Sequence, residues 1–263
     1  MYSSGKTDIG LRRKVNQDTF AAERFAPDAE LFVVCDGMGG VQGGAEASRL
    51  ACEAFCAVMR HALPDIMAEA ECVCSDADAI AAHKDRLCNC IPDMLTEAAD
   101  AANRAVYEAA MADESLKGMG TTLVALFVWG NYACGINIGD SRLYALTAQS
   151  IRQLSHDHSY VQYLIDLGKL TPEEARTSTN RNIITRAVGT APVLEADIVP
   201  VDAGLVGQAT FLLCSDGLSG MITDAEMAAI VRDADSLDTA VNALVNAANA
   251  AGGSDNITVV LCR

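Results

Sequence analysis

Short apolar runs alternate along the chain with longer stretches in which apolar residues recur every three or four positions. Leu31-Phe-Val-Val34 is too compact for a helix and rich in strand formers, so it predicts a buried strand that ends on Asp36. Phe211 to Ser215 and Ile257 to Leu261 predict two more. Gly120 to Trp129 and Tyr132 to Ile138, separated by Gly130-Asn131, read as a hairpin, because a Gly-Asn pair supplies the positive φ angles of a tight turn. Ser141 to Leu146 is expected to continue that hairpin as a meander. Helical spacing opens at Gly43 and runs to about Arg60, where Pro64 is expected to interrupt it, and returns from Pro92 to Ala112. A short helix is expected over Ser159–Leu167, stopped by Gly168. Thr171-Pro-Glu-Glu174 and Thr223-Asp-Ala-Glu226 are helix starts with a capping Thr and a Glu three residues on. The second leads to about Asp233, and Leu237 to Ala250 follows as another helix. Helical pairs set among antiparallel strands predict an α+β fold.

Composition narrows this picture. At 263 residues the chain fits one large domain or two small ones, and no Pro/Gly/Ser linker divides it. Hydrophobic residues make up 51%, enough for a sizeable core, yet the runs are too broken to span a membrane. Met1 to Lys6 lacks the apolar stretch of a signal peptide, so a soluble, cytoplasmic protein is expected. The 35 acidic and 19 basic residues give a net charge of −16, which argues against binding nucleic-acid backbone. Ten cysteines without a secretion signal read as reduced thiols. Cys72-Val-Cys74 and Cys88-Asn-Cys90, with His83 between them, could be a zinc site. Their one-residue spacing suits it poorly, and small apolar cysteines on Ala-rich helices explain them as well.

The chemistry lies where strands end. Asp36 is followed by Gly37, Gly39 and Gly40; Asp216 by Gly217; and Asp255 follows the Gly252-Gly-Ser254 loop at the mouth of the last strand. Any one of these would pass as an ordinary Asp-Gly turn. Three carboxylates delivered by apolar strands to glycine loops are better explained by a hard cation, which takes carboxylate and bare carbonyl oxygens. Asp140 also follows a strand, with a plain turn as its competing explanation. His156 and His158, in a loop before a helix, are more readily hydrogen-bonding residues than metal ligands.

Arg13, Asn16-Gln17-Asp18, Asp36-Gly-Met-Gly-Gly40, Met119-Gly-Thr-Thr122, Gly139-Asp-Ser-Arg142, Ser215-Asp-Gly217 and Ser254-Asp-Asn256 form an ordered series. It resembles the signature of the metal-dependent serine/threonine protein phosphatases of type 2C, in their compact bacterial branch. The match covers nearly the whole chain except residues 60–92, an atypical cysteine-containing helical insertion in a single catalytic domain. The resemblance implies a four-layer α-β-β-α sandwich, with two central antiparallel sheets flanked by helical hairpins, and a mobile flap over about 155–190. It implies that Asp36 bridges two Mn2+ or Mg2+ ions, that the Gly37 carbonyl ligates one and that Asp216 and Asp255 ligate the other. Asp140 would face a third ion and Asp18 would hold outer-shell water. Arg13 would grip the substrate phosphate, while Arg12 and Lys14 match nothing essential and only raise the local potential.

The implied reaction is hydrolysis of phosphoserine and phosphothreonine in proteins by a metal-activated water, reversing a serine/threonine kinase that would itself be a partner. A monomer is expected. Many relatives carry a His in or just after the glycine turn as acid for the leaving group, where this chain has Met38 and Val41. A metal-bound water or a flap residue would have to replace it, and its loss costs on the order of a hundredfold. Two other readings remain: a catalytically weak or inactive phosphoprotein-binding regulatory domain of the same fold, and a metal hydrolase of small phosphoesters.

Overall fold

The run beginning at Leu31 is an interior strand whose two faces are both buried, which is why it shows no polar alternation. In the computed structural model, which describes residues 2–72 and 89–263, it belongs to β3 (Ala29–Met38). Leu31, Val33 and Cys35 face a layer of helices, and Phe32 and Val34 face a second sheet. β3 pairs with β2 (Asp18–Ala26) and with β5 (Leu123–Trp129). The two-residue strand β4 (Gly120–Thr121) pairs with the end of β3. β6 (Tyr132–Ile138) and β9 (Asp197–Pro200) complete a six-stranded antiparallel sheet of order β2-β3-β5-β6-β9. The other sheet has the order β1-β11-β10-β7-β8, built from Ser3–Asp8, Ile257–Cys262, Thr210–Cys214, Arg142–Leu146 and Ile151–Gln153.

Three apolar layers hold these sheets. Between them sit Phe32, Val34, Val124, Leu126, Leu143, Leu213 and Val260. Each large side chain buried there contributes about 1.5–3 kcal/mol. Outside the six-stranded sheet pack α1 (Gly40–Cys72) and α2 (Ile91–Ala112), burying Phe55, Met59, Leu63, Leu95 and Val106. Two short helices follow, α3 (Tyr160–Asp166) and α4 (Pro172–Thr177), then α5 (Asp216–Ser219) after β10. Outside the five-stranded sheet lie α6 (Asp224–Asp233) and α7 (Leu237–Ala250), burying Met227, Val241 and Leu244. The expected α+β arrangement of two antiparallel sheets between helix pairs is the one observed. The capping boxes at Thr171 and Thr223 are both formed, and Gly130 turns the β5–β6 hairpin with φ +59°.

Three expectations change. α1 does not stop near Arg60 but continues through Pro64 to Cys72. Pro64 is exposed, so the carbonyl deprived of its partner faces water, while Met59 and Leu63 on the other side keep the helix docked. β3 runs two residues past Asp36, so that Gly37 and Met38 pair with Thr121 and Gly120. Finally, β7 is not the third strand of a meander: it pairs with β10 and β8 in the opposite sheet. The chain crosses between sheets at Gly139–Ser141, with Gly139 at φ +102°. The zinc alternative at Cys72, Cys74, Cys88 and Cys90 rests largely on segments outside the described residues; Cys90 itself is exposed.

Candidate active site

The carboxylates gather at one end of the sandwich because each is fixed by backbone. Asp18 and Asp36 are register partners on β2 and β3. The Asp36 N–H donates to Thr122 Oγ1 (2.9 Å), and its carbonyl accepts from the Thr122 N–H (2.9 Å) and Thr121 Oγ1 (2.8 Å). At Gly37 a Cβ would lie 1.9 Å from the Gly44 carbonyl oxygen and 2.7 Å from that of Gln17, so only glycine allows α1 to start so close to β3. Asp216 opens α5 directly after β10. Gly217 beside it permits contact with the Asn256 carbonyl, where a Cβ would approach to 1.8 Å.

Asn256 ties the last loop to the first. Its Oδ1 accepts from the Gln17 N–H (2.8 Å), and its Nδ2 donates to the carbonyls of Ile9 (3.0 Å) and Val15 (3.1 Å). The basic trio is thereby held beside Asp255, and Arg13 Nη2 donates to Asp255 Oδ2 at 2.7 Å. Arg13, Asp36, Gly37, Asp140, Asp216 and Asp255 all line one cavity of about 550 Å³. Asp18 is placed differently, buried behind that wall, where its Oδ2 accepts from Ser215 Oγ and Thr258 Oγ1, both at 2.7 Å. A second cavity of about 620 Å³ shares Asp140, Asn182, Asp216 and Asp255 with the first and extends under α4.

So many buried acids raise one another's proton affinity. Burial pushes the Asp216 carboxyl up to about 6, repulsion from Asp255 adds to it, and a hydrogen bond with the Asp36 carboxyl opposes it. Burial lifts Asp18 to about 7 against the stabilising bonds from Thr258 and Ser215. Asp36 and Asp140 are driven well above the usual carboxylate range by burial and then by neighbouring acids: Asp18 and Asp216 for the first, Asp216 and Asp157 for the second. Asp18 Oδ1 and Asp216 Oδ1 are buried without any hydrogen-bond partner. Orphaned carboxylate oxygens in a cluster of like charge are what a bound cation would satisfy.

Among the described residues no three His, Cys, Asp or Glu side chains close around a single point as a finished cage, and Asp255 is turned to Arg13. The donors on hand are carboxylates and a backbone carbonyl. That set suits Mg2+ or Mn2+, which keep several waters, and not zinc, which wants nitrogen and sulfur.

His156 and His158 are accounted for without metal. His156 Nε2 pairs with Asp166 (2.9 Å). His158 is buried; its Nδ1 accepts from the Gly139 N–H (3.1 Å), which leaves Nε2 to donate to Asp197 Oδ2 (3.0 Å). Arg142, in the same crossover, holds Asp157 with Nε at 3.0 Å from Oδ1 and Nη2 at 2.6 Å from Oδ2. Ser159, Gln162, Arg176 and Asn182 line the second cavity together with Asp140, and Ser159 bridges to Ile184.

Sequence reasoning assigned no role to Ser215, Thr258, Asn256, Thr122 or the Arg142–Asp157 pair. For Ser215 and Asn256 the signal was at hand: a polar residue next to each site Asp. For Thr258, inside an apolar strand, the only signal was a hydroxyl out of pattern.

A cavity of hard oxygen ligands beside an arginine fork has the chemistry of a hydrolase of phosphate esters. Residues 11–261 match the family model for Protein phosphatase 2C. The chain belongs to that family and is on this ground a protein phosphatase. It is 32% identical over 263 residues to the serine/threonine phosphatase stp of Listeria welshimeri, covering 99% of this chain and 95% of that protein. The crystal structure of the PPM Ser-Thr phosphatase MsPP from Mycobacterium smegmatis, in complex with cacodylate, is similar with a TM-score of 0.79. The two are 31% identical, covering 99% of this chain and 97% of that one. The catalytic domain of the serine/threonine phosphatase PstP, crystallised with 2 manganese ions, is similar with a TM-score of 0.75, at 30% identity over 99% of this chain and 96% of that one.

Proposed function

We propose that this chain hydrolyses phosphoserine and phosphothreonine in proteins, with Asp36, Gly37, Asp216 and Asp255 holding two Mn2+ or Mg2+ ions and Asp140 facing a third. The observation that carries the reading is the convergence of Arg13 and four mutually repelling carboxylates on one cavity. Bound divalent ions supply Lewis-acid polarisation of the phosphoryl group and a water of lowered pKa. The chain's own residues do the rest. Arg13 is half-exposed and spends one N–H on Asp255, which leaves donors of its planar fork for phosphoryl oxygens. Gly37 keeps a bare backbone at the cavity wall. Asp18, locked by Ser215 and Thr258, keeps one buried unpartnered oxygen, which would hold water of the ions rather than touch the substrate.

The family membership supports phosphorylated proteins as the substrates, and a serine/threonine kinase is the expected partner among them, as the resemblance implies. The test is calorimetric titration of Mn2+ together with phosphothreonine-peptide turnover, on wild type and Asp36→Asn. The reading expects both to collapse in the variant. Tight metal binding by Asp36→Asn at wild-type turnover would overturn it.

A further inference from the structure

We infer that Lys14 is the acid that protonates the leaving serine or threonine oxygen, an inference that rests on the phosphatase reading above. Serine and threonine alkoxides are strong bases and leave slowly unless a proton meets them. Among the described residues lining the catalytic cavity there is no histidine, tyrosine or cysteine. Met38, which lies at the glycine turn, has no proton to give. Asp36, Asp140, Asp216 and Asp255 are ionised once they serve as ligands. That leaves the basic trio of the first loop, all three of which line the cavity. Arg13 is engaged with Asp255, and an arginine holds its proton too firmly to be an acid.

Lys14 is different. Its side chain is exposed on the cavity rim, and neither it nor Arg12 has a hydrogen-bond or ion-pair partner among the described residues. The segment beneath it is fixed, since the carbonyl of Val15 accepts from Asn256 Nδ2 at 3.1 Å and the Gln17 N–H donates to Asn256 Oδ1 at 2.8 Å. A flexible four-carbon stem on a fixed base can bring the ammonium to an oxygen above Asp36 and Asp255.

The step balances simply. Water forms the new P–O bond as the P–O bond to the side chain breaks. The departing oxygen takes a proton from Nζ and leaves as the free hydroxyl. The neutral amine is reprotonated by solvent, which also receives the proton lost by the attacking water. An alkoxide is a far stronger base than an amine, so the transfer is downhill.

The test compares two substrates with Mn2+ present: a phosphothreonine peptide, whose leaving group needs a proton, and p-nitrophenyl phosphate, whose phenolate does not. Lys14→Met should lower the ratio of peptide to aryl-ester kcat by about 100-fold or more, the usual share of a general acid. Lys14→Arg, which keeps the charge but cannot release it as a proton, should fail to restore that ratio. Arg12→Met, which removes a neighbouring charge, should move both substrates together. An unchanged ratio in Lys14→Met, or full rescue by Lys14→Arg, would overturn the proposal in favour of a purely electrostatic role. Aryl-ester turnover reports the hydrolase itself, so its absence in the wild type would sink the phosphatase reading and this inference with it.

Discussion

Replacing Asp216 by Asn should make the metal-free protein more stable. In the folded chain this carboxyl is buried among acids and its pKa stands near 6 instead of the ordinary 3.8. At pH 7 it is ionised whether the chain is folded or not, so the raised value is a penalty carried by the folded state. A shift of about two units is worth about 3 kcal/mol. An amide of the same size carries no charge and escapes that penalty. For a domain of this length about 3 kcal/mol corresponds to a rise in Tm of roughly 6–12 °C. The sign in pH follows from which state takes up the proton. As pH falls from 7 through 6 toward 3.8, the folded wild type binds a proton that the unfolded chain does not, the penalty is relieved, and the gap between variant and wild type closes. The assay is thermal unfolding in excess chelator from pH 7.5 to 4.5, repeated with Mn2+. Saturating Mn2+ should reverse the order, because only the wild type gains fully from binding. A chelated variant that melts at or below the wild-type temperature at pH 7.5 would refute the reasoning.

Other substitutions probe how the site is built. Gly37→Ala places a methyl 1.9 Å from the Gly44 carbonyl and should cost about 3 kcal/mol or more in urea unfolding, since neither β3 nor α1 can yield; wild-type stability would contradict the close approach. Asp157→Ala strands the largely buried Arg142 guanidinium and should cost about 3–5 kcal/mol, whereas a loss under 1 kcal/mol would show that the pair is solvated. Pro64→Ala restores a helix hydrogen bond at an exposed position of α1 and should raise stability by up to about 3 kcal/mol, and a drop in Tm would mean that the proline sets a bend the packing needs.

The carboxylate cluster was legible in the sequence because strands buried on both faces leave unbroken apolar runs, with Asp-Gly at the end of two of them and Asp255 in a glycine loop at the start of a third. Both capping boxes and the β5–β6 turn were legible because those interactions are local. What lay between Ile138 and Arg142 was not. A strand following a hairpin has the same pattern whether it joins the same sheet or crosses to the other, and only the packing of Leu143 and Ala145 against Phe32 and Val34 decides. Pro64 misled for the opposite reason: the local rule was sound, but a helix face anchored by Met59 and Leu63 overrode it. Asp18 depends on hydroxyls 197 and 240 residues away, a relation that no spacing along the chain could reveal.

The most direct measurement is phosphate release from a phosphothreonine peptide, with chelator and with Mn2+, for wild type and Asp216→Asn. The account predicts release only by the wild type and only with Mn2+, while the variant stays folded and inactive. Release that persists in chelator, or an Asp216→Asn variant as active as the wild type, would contradict a reaction run by divalent ions on these carboxylates.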